Sequence, residues 1–243
     1  MKCAVIGGTG LIGSQVVRKL NDAGHEAVPH SLSTGVDAVT GQGVAEAVAG
    51  ADCVVNLTNS PTFDEASAAF FRASMDALLA AGHQAGVGHF VILSIVGVDQ
   101  VPGLAYYRAK ALQEDLLKAG PIPYSIVRAT QFMEFIDAVM SWSTEGDTVR
   151  LSTTPLQPIA AQDVSDTVAE VAAGSPLNGT LDVGGPDVHP LDELGRITLN
   201  ARPDGRTVVT DDTAGMFAAV DGDVLTTKGD ARIAPTHYSD WLA

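Results

Sequence analysis

The chain has 243 residues, 46% of them hydrophobic and 18% charged, and carries a net charge of −15. Such a length and balance suit one large α/β domain, or one domain with a small lobe, and exclude a disordered or low-complexity chain. An acidic surface repels phosphate backbones and anionic lipid, so neither nucleic acid nor a membrane is expected as a partner.

In chain order, residues 2–6 (KCAVI) form an apolar run without alternation, the pattern of a strand buried on both faces of a parallel sheet. GGTGLIG follows, then a helix with Ile12, Val16, Val17 and Leu20 on one face and Gly24 as its stop. HEAVPH is the second strand, VDAVTG (36–41) the third, and an Ala-rich helix at 43–49 leads into DCVVNLT, the fourth. A long helix spans 64–81 and ends at Gly82; HFVILS, the helix YYRAKALQEDLLKAG and YSIVRAT come next. This strand–helix alternation with short connections implies a doubly wound parallel sheet, a Rossmann fold. Beyond Gln131 the expected elements are helices from Phe132 to about Trp142, from Asp163 and from near Pro190, with a late strand TLDVGG. The tail 201–243 has no clear pattern. The expected division is a dinucleotide-binding domain at 1–183 and a small C-terminal substrate lobe at 184–243, with contributions from 131–158.

Cys3 and Cys53 both fall in strand-like runs and read as small buried hydrophobes, not a disulfide framework. Met1-Lys2 leads straight into a strand, so no signal peptide is expected, and no apolar stretch is long enough to span a membrane. A cytoplasmic location follows as an expectation. The histidines show no metal-ligand spacing, so no metal is expected. Without a G-x-S-x-G elbow, a hydrolase is disfavoured.

Gly7, Gly10 and Gly13 are spaced G-x-x-G-x-x-G, and Gly8, Gly10 and Gly13 also satisfy G-x-G-x-x-G. Between a strand and an amphipathic helix, this pattern points to a dinucleotide. The first glycine permits the turn, Gly10 lets the backbone approach a pyrophosphate, and Gly13 lets helix pack on strand. The helix N-terminus offers free N–H groups and a favourable dipole, with Thr9, Leu11 and Ile12 lining the contact. No Lys or Arg lies between Lys19 and Arg72, so an anionic cofactor there must rely on N–H groups and hydroxyls.

The ribose-selecting position follows the second strand. Here it reads His30-Ser31-Leu32-Ser33-Thr34, with neither the carboxylate usual for NAD nor the arginine usual for NADP. Without a carboxylate nothing repels a 2′-phosphate, and the hydroxyls of Ser31 and Ser33 can donate to it. NADP(H) is therefore the expected cofactor and NAD the alternative. Tyr106 and Lys110 stand at i and i+4 in YYRAK and share a helix face, and Ser94 ends the preceding strand. A tyrosine beside a lysine and a nicotinamide ribose is expected to have its pKa lowered from about 10, suiting it to exchange a proton with a carbonyl oxygen.

GGTGLIG, LSIVG, YYRAK with ALQEDLL, and IVRATQFMEF, in this order over residues 1 to about 190, resemble the short-chain dehydrogenase/reductase superfamily, in its atypical branch of NmrA-like NAD(P)-binding proteins. The resemblance implies that Gly7, Gly10 and Gly13 hold the pyrophosphate, that Tyr106 and Lys110 are the catalytic pair and that Ser94 orients the carbonyl. It also places Thr58 and Asn59 by the adenosine ribose, and Thr130 and Gln131 near the nicotinamide. The chain departs from the pattern in three places. It has one serine at Ser94 where many relatives have two or three, no asparagine in the helix 64–81 to complete a proton relay, and Gln42 in place of an acidic residue.

The implied activity is NADPH-dependent reduction of a ketone or quinone on a small, apolar or aromatic molecule. Phe132, Met133, Phe135, Met140 and Trp142 read either as lobe packing or as an apolar wall for such a substrate. The alternatives are a non-catalytic dinucleotide sensor acting through a protein partner and an isomerase that uses its cofactor transiently. Oligomeric state stays open.

Overall fold

A computed structural model describes residues 1–243. A seven-stranded parallel sheet flanked by helices forms a Rossmann-type α/β fold. The chain divides into two compact units, Met1–Arg128 with Val164–Leu181, and Ala129–Asp163 with Asp182–Ala243.

The first unit begins β1 (Lys2–Ile6), α1 (Leu11–Asp22), β2 (Glu26–His30), α2 (Val44–Val48) and β3 (Cys53–Asn56). It continues with α3 (Ala66–Ala85), β4 (His89–Ile95), α4 (Ala105–Lys118) and β5 (Tyr124–Ala129). Strands β1 and β3 are buried along nearly their whole length, which is why their sequences do not alternate. Ile6, Val54, Met75, Leu78, Phe90, Ile92, Leu117 and Ile126 form one continuous core between sheet and helices. Cys3 and Cys53 are free, fully buried register partners on β1 and β3. The chain runs from β1 to β2 on one side and returns to β3 on the other, so the topological switch point lies between β1 and β3.

Two expectations are corrected here. Residues 36–41 are not a strand. Asp37 accepts the Val39 N–H at 2.9 Å, and Gly41 and Gly43 take φ of +79° and +70°, so turn chemistry prevails over the apolar positions Val36 and Ala38. Helix α3 does not stop at Gly82 but runs to Ala85 and ends at Gly86, φ +74°. Gly82 sits inside it because a Cβ there would come within 3.1 Å of Ile122 Cδ1.

The second unit contains α5 (Met133–Trp142), β6 (Thr144–Glu145), β7 (Thr148–Leu151) and β8 (Pro155–Leu156). After α6 (Ala161–Ala173), which from Val164 onward belongs to the first unit, and β9 (Gly179–Gly184), which does so up to Leu181, come β10 (His189–Pro190), α7 (Leu191–Ala201), β11 (Thr207–Thr210), β12 (Arg232–Ile233) and α8 (Tyr238–Leu242). The seven-stranded sheet orders β12-β9-β5-β4-β3-β1-β2, a small sheet orders β11-β7-β6, and β8 pairs with β10. Met133 and Met140 are fully buried, whereas Trp142 is 59% exposed, with Phe135 edge-on to it. Within this unit Val139, Trp142, Leu151, Leu191, Met216 and Phe217 line an apolar cavity of about 220 Å³. No helix is long and apolar enough to cross a membrane.

Candidate functional site

The glycine turn between β1 and α1 is held by the end of β2, where the His30 carbonyl accepts the N–H groups of Gly7 (2.8 Å) and Gly8 (3.1 Å). Three of its glycines answer to the chain's own backbone. Gly7 has φ +80°, and its missing Cβ would lie 2.8 Å from the Leu57 carbonyl carbon. A Cβ at Gly8 would meet Pro29 Cα at 2.6 Å, and one at Gly13 would meet Gly7 O at 2.1 Å. Gly10 differs. It has an ordinary extended backbone, φ −79° and ψ −177°, and the nearest atom to its missing Cβ is 3.4 Å away. No internal contact requires a glycine there, but the close approach of a ligand would. Gly10 is also the N-cap of α1, which has no side-chain cap and no acidic residue in its first turn, so its leading N–H groups stay available to an anion. Thr9 and Leu11 are exposed and Ile12 is buried. At the switch point, these features fit a dinucleotide pyrophosphate.

Beyond β2, Ser31 caps a single 3₁₀ turn, Leu32–Thr34. Its N–H donates to Thr34 Oγ1 at 2.8 Å, and the Ser31 and Ser33 hydroxyls are 2.8 Å apart. Burial, and then the neighbouring charge of Lys2, hold the His30 imidazole below its usual pKa, so it stays neutral at pH 7.

Across the switch point, Asn56 at the end of β3 is buried, and its Oδ1 accepts both the Thr58 N–H (3.0 Å) and the Thr58 hydroxyl (2.8 Å). The next residue, Asn59, accepts the Tyr106 hydroxyl at 2.5 Å. Leu57 packs against Gly7, so this loop and the glycine turn share one edge of the sheet. Tyr106 is 9% exposed and lies between Phe63 and Phe71, with ring centroids 4.9 and 6.1 Å away. The expected lowering of its pKa is reversed: burial pushes the phenol up to about 12, only partly opposed by the bond to Asn59. Tyr106 is therefore a neutral proton donor at pH 7.

Lys110 shares α4 with Tyr106, yet no hydrogen bond joins them. Its ammonium turns inward, donating to Leu93 O at 2.7 Å and to Gln113 Oε1, with the Phe71 ring centroid 4.9 Å away. Burial lowers its pKa to about 7, against a smaller opposing pull from Glu114. Ser94 Oγ is buried without a fully formed hydrogen bond. It lies by the Glu114 carboxylate, which burial pushes up but hydrogen bonds from Arg128 and Lys118, with the Ser94 hydroxyl nearby, hold below its usual range. Arg128 grips Glu114 through Nε (2.8 Å) and Nη2 (2.7 Å), a structural clasp between β5 and α4. In the second unit, Thr130 donates its N–H to Val183 O at 3.0 Å, and its buried hydroxyl has no partner.

Sequence reasoning missed Phe63, Phe71, Met75 and Gln113. Gln113 stands three residues after Lys110, on the same helical face, a spacing that could have flagged it. Phe71 and Met75, four apart on α3, looked like ordinary core.

A glycine turn at the switch point of a doubly wound sheet, opening an uncapped helix, defines a Rossmann-type dinucleotide-binding protein. Residues 7–174 match the NAD(P)H-binding family, and the chain belongs to it. Among solved structures, a short-chain dehydrogenase/reductase superfamily protein from Agrobacterium tumefaciens with bound NAD is 17% identical, covering 100% of this chain and 95% of that one, with a TM-score of 0.74. A nucleoside-diphosphate-sugar epimerase from Staphylococcus aureus is 14% identical, with coverage of 100% and 99% and a TM-score of 0.75. A dTDP-4-dehydrorhamnose reductase from Clostridium acetobutylicum is 16% identical, with coverage of 87% and 84% and a TM-score of 0.69. At these identities the likeness shows the fold. No curated protein matches the chain.

Proposed function

We propose that the protein is an NADPH-dependent reductase of a ketone or quinone on a small organic molecule. The observation that carries this reading is the Tyr106 hydroxyl, buried and neutral, at the sheet edge that also bears the glycine turn. When bound, the dinucleotide supplies the hydride. Gly10 and the N–H groups opening α1 hold its pyrophosphate, with Thr9, Leu11, Ile12 and Gly13 around it. Ser31 and Ser33 meet the adenosine ribose, where two hydroxyls and a neutral imidazole accept a 2′-phosphate without repulsion. Tyr106 would turn its Oη proton from Asn59 Oδ1, which accepts it in the structure, to the carbonyl oxygen, leaving a phenolate. Lys110, one helical turn on, orients the cofactor ribose and supplies the cation that a buried phenolate needs. Thr58 and Ser94 complete the residues that this unit brings to cofactor and substrate. The rings of Phe63 and Phe71 against Tyr106 favour an apolar or aromatic substrate.

The test is a panel of ketones and quinones with NADPH and with NADH. Consumption of NADPH with at least one acceptor supports the reading. Tight cofactor binding with no turnover across the panel favours a dinucleotide sensor. Rearrangement of a substrate without net cofactor oxidation favours an isomerase.

A further inference from the structure

Gln113 is fully buried, between α4 and α3, where an apolar residue would pack without any polar cost. Its amide orientation is set from one side. Oε1 accepts the Lys110 ammonium, while Nε2 has only the Met75 thioether, 3.9 Å away, a weak acceptor. The flipped amide would point N–H groups at a cation. The same Met75 sulfur accepts Asn56 Nδ2 at 3.5 Å, and Asn56 holds the Thr58 end of the loop whose next residue, Asn59, binds Tyr106. A buried polar chain thus runs from Lys110 through Gln113, Met75 and Asn56 to Thr58.

We propose that Gln113 is a positioning residue for Lys110: with Leu93 O it engages two of the ammonium's three N–H groups and fixes where the third can point, toward the dinucleotide. The inference rests on the reading of Lys110 as a cofactor-holding residue. The other groups around Lys110 do not compete for it. Glu114 on α4 is clasped by Arg128 of β5 and Lys118, Ser94 of β4 leans on Glu114, Tyr106 bonds to Asn59, and α3 contributes Phe71 and Met75. Lys110 titrates near neutral pH, so its protonation can be followed directly.

The experiment combines NMR titration of protein labelled with ¹³C at lysine Cε and NADPH affinity by fluorescence, on wild type, Gln113→Met, Gln113→Glu and Lys110→Met. The resonance missing from Lys110→Met assigns Lys110. Losing a charge-assisted acceptor in Gln113→Met should lower the Lys110 midpoint further and weaken NADPH binding by roughly tenfold. Gln113→Glu keeps an acceptor and adds a charge, so it should raise the midpoint and restore binding to within about threefold of wild type. A merely structural glutamine would change thermal stability and leave the Lys110 midpoint where it was. An unchanged midpoint and affinity in Gln113→Met, with Lys110→Met weakening NADPH, would overturn the proposal. If Lys110→Met binds NADPH as wild type does, the underlying reading of Lys110 fails instead. If Gln113→Met does not fold, the midpoint in Gln113→Glu decides: a rise supports the contact and no movement refutes it.

Discussion

In the glycine turn, Gly7, Gly8 and Gly13 are each required by a backbone atom of β1, β2, the turn itself or the loop after β3. On α4, the partners of Tyr106 and Lys110 are side chains and carbonyls drawn from β4, α3, α4 and the loop after β3. The first region is a steric device written locally, and the second is a polar assembly that exists only once the sheet and two helices have formed. A motif of the first kind announces its geometry; one of the second kind announces only its residue types.

That contrast can be broken first at α4. Tyr106→Phe removes the hydroxyl and keeps the ring between Phe63 and Phe71, so folding and NADPH affinity should survive while turnover falls about 10²- to 10⁴-fold. Tyr107, also buried but with no hydrogen bond in the structure, is the control, and Tyr107→Phe should cost little by comparison. Steady-state rates on the best panel substrate, with melting temperatures, decide between them. Equal losses in both variants would mean the hydroxyl of Tyr106 has no special role.

At the turn, Gly13→Ala drives a Cβ to 2.1 Å from Gly7 O, in a place with no side chain to yield. Denaturant unfolding should show a loss of about 3 kcal/mol or more, or no folded protein. A variant as stable as wild type would show that helix α1 can back away from β1.

The buried lysine sharpens the comparison through pH. The Lys110 pKa is lowered to about 7 from an ordinary 10.5, so between these values the unfolded chain binds a proton that the folded chain does not. Stability from this group therefore rises with pH across that window, is complete above it, and is lost as pH falls through about 7. Relative to Lys110→Met, wild type should gain stability from pH 7 to 10 in urea unfolding; a constant difference would mean the ammonium is not desolvated. The smallest effect is expected at the ribose segment. Ser31→Asp or Ser33→Asp should reduce the NADPH-to-NADH affinity ratio by roughly three- to tenfold, since a carboxylate repels a 2′-phosphate and accepts from a free 2′-hydroxyl. An unchanged ratio in both variants would remove this segment from the cofactor site.

The same contrast explains what could be read before the structure. The parallel sheet, its helices and the glycine turn were legible because burial on both strand faces suppresses alternation and because Gly13 needs its partner only six residues away. Residues 36–41 were misread because Val36 and Ala38 are buried like strand residues, while Asp37, Gly41 and Gly43 impose a turn. Spacing was enough to put Tyr106 and Lys110 on one helix, but not to give the direction of the Tyr106 pKa. It depends on desolvation by Phe63 and Phe71, which lie tens of residues away in sequence. Strands β6 and β8, two residues each, are too short to carry any period.

If this turn holds a nicotinamide dinucleotide, Gly10 is where the chain makes way for it, because the folded chain makes no use of a glycine there. Gly10→Ala has an allowed backbone and only an ordinary contact for its Cβ, 3.4 Å from Gly7 O, so its melting temperature should match wild type. Titration with NADPH, followed by fluorescence or calorimetry, should give saturable binding to wild type and affinity at least about tenfold weaker in the variant, as a methyl group displaces the pyrophosphate from the α1 N-terminus. Equal affinity in the two proteins, or no binding of NADPH or NADH to wild type, would contradict the account.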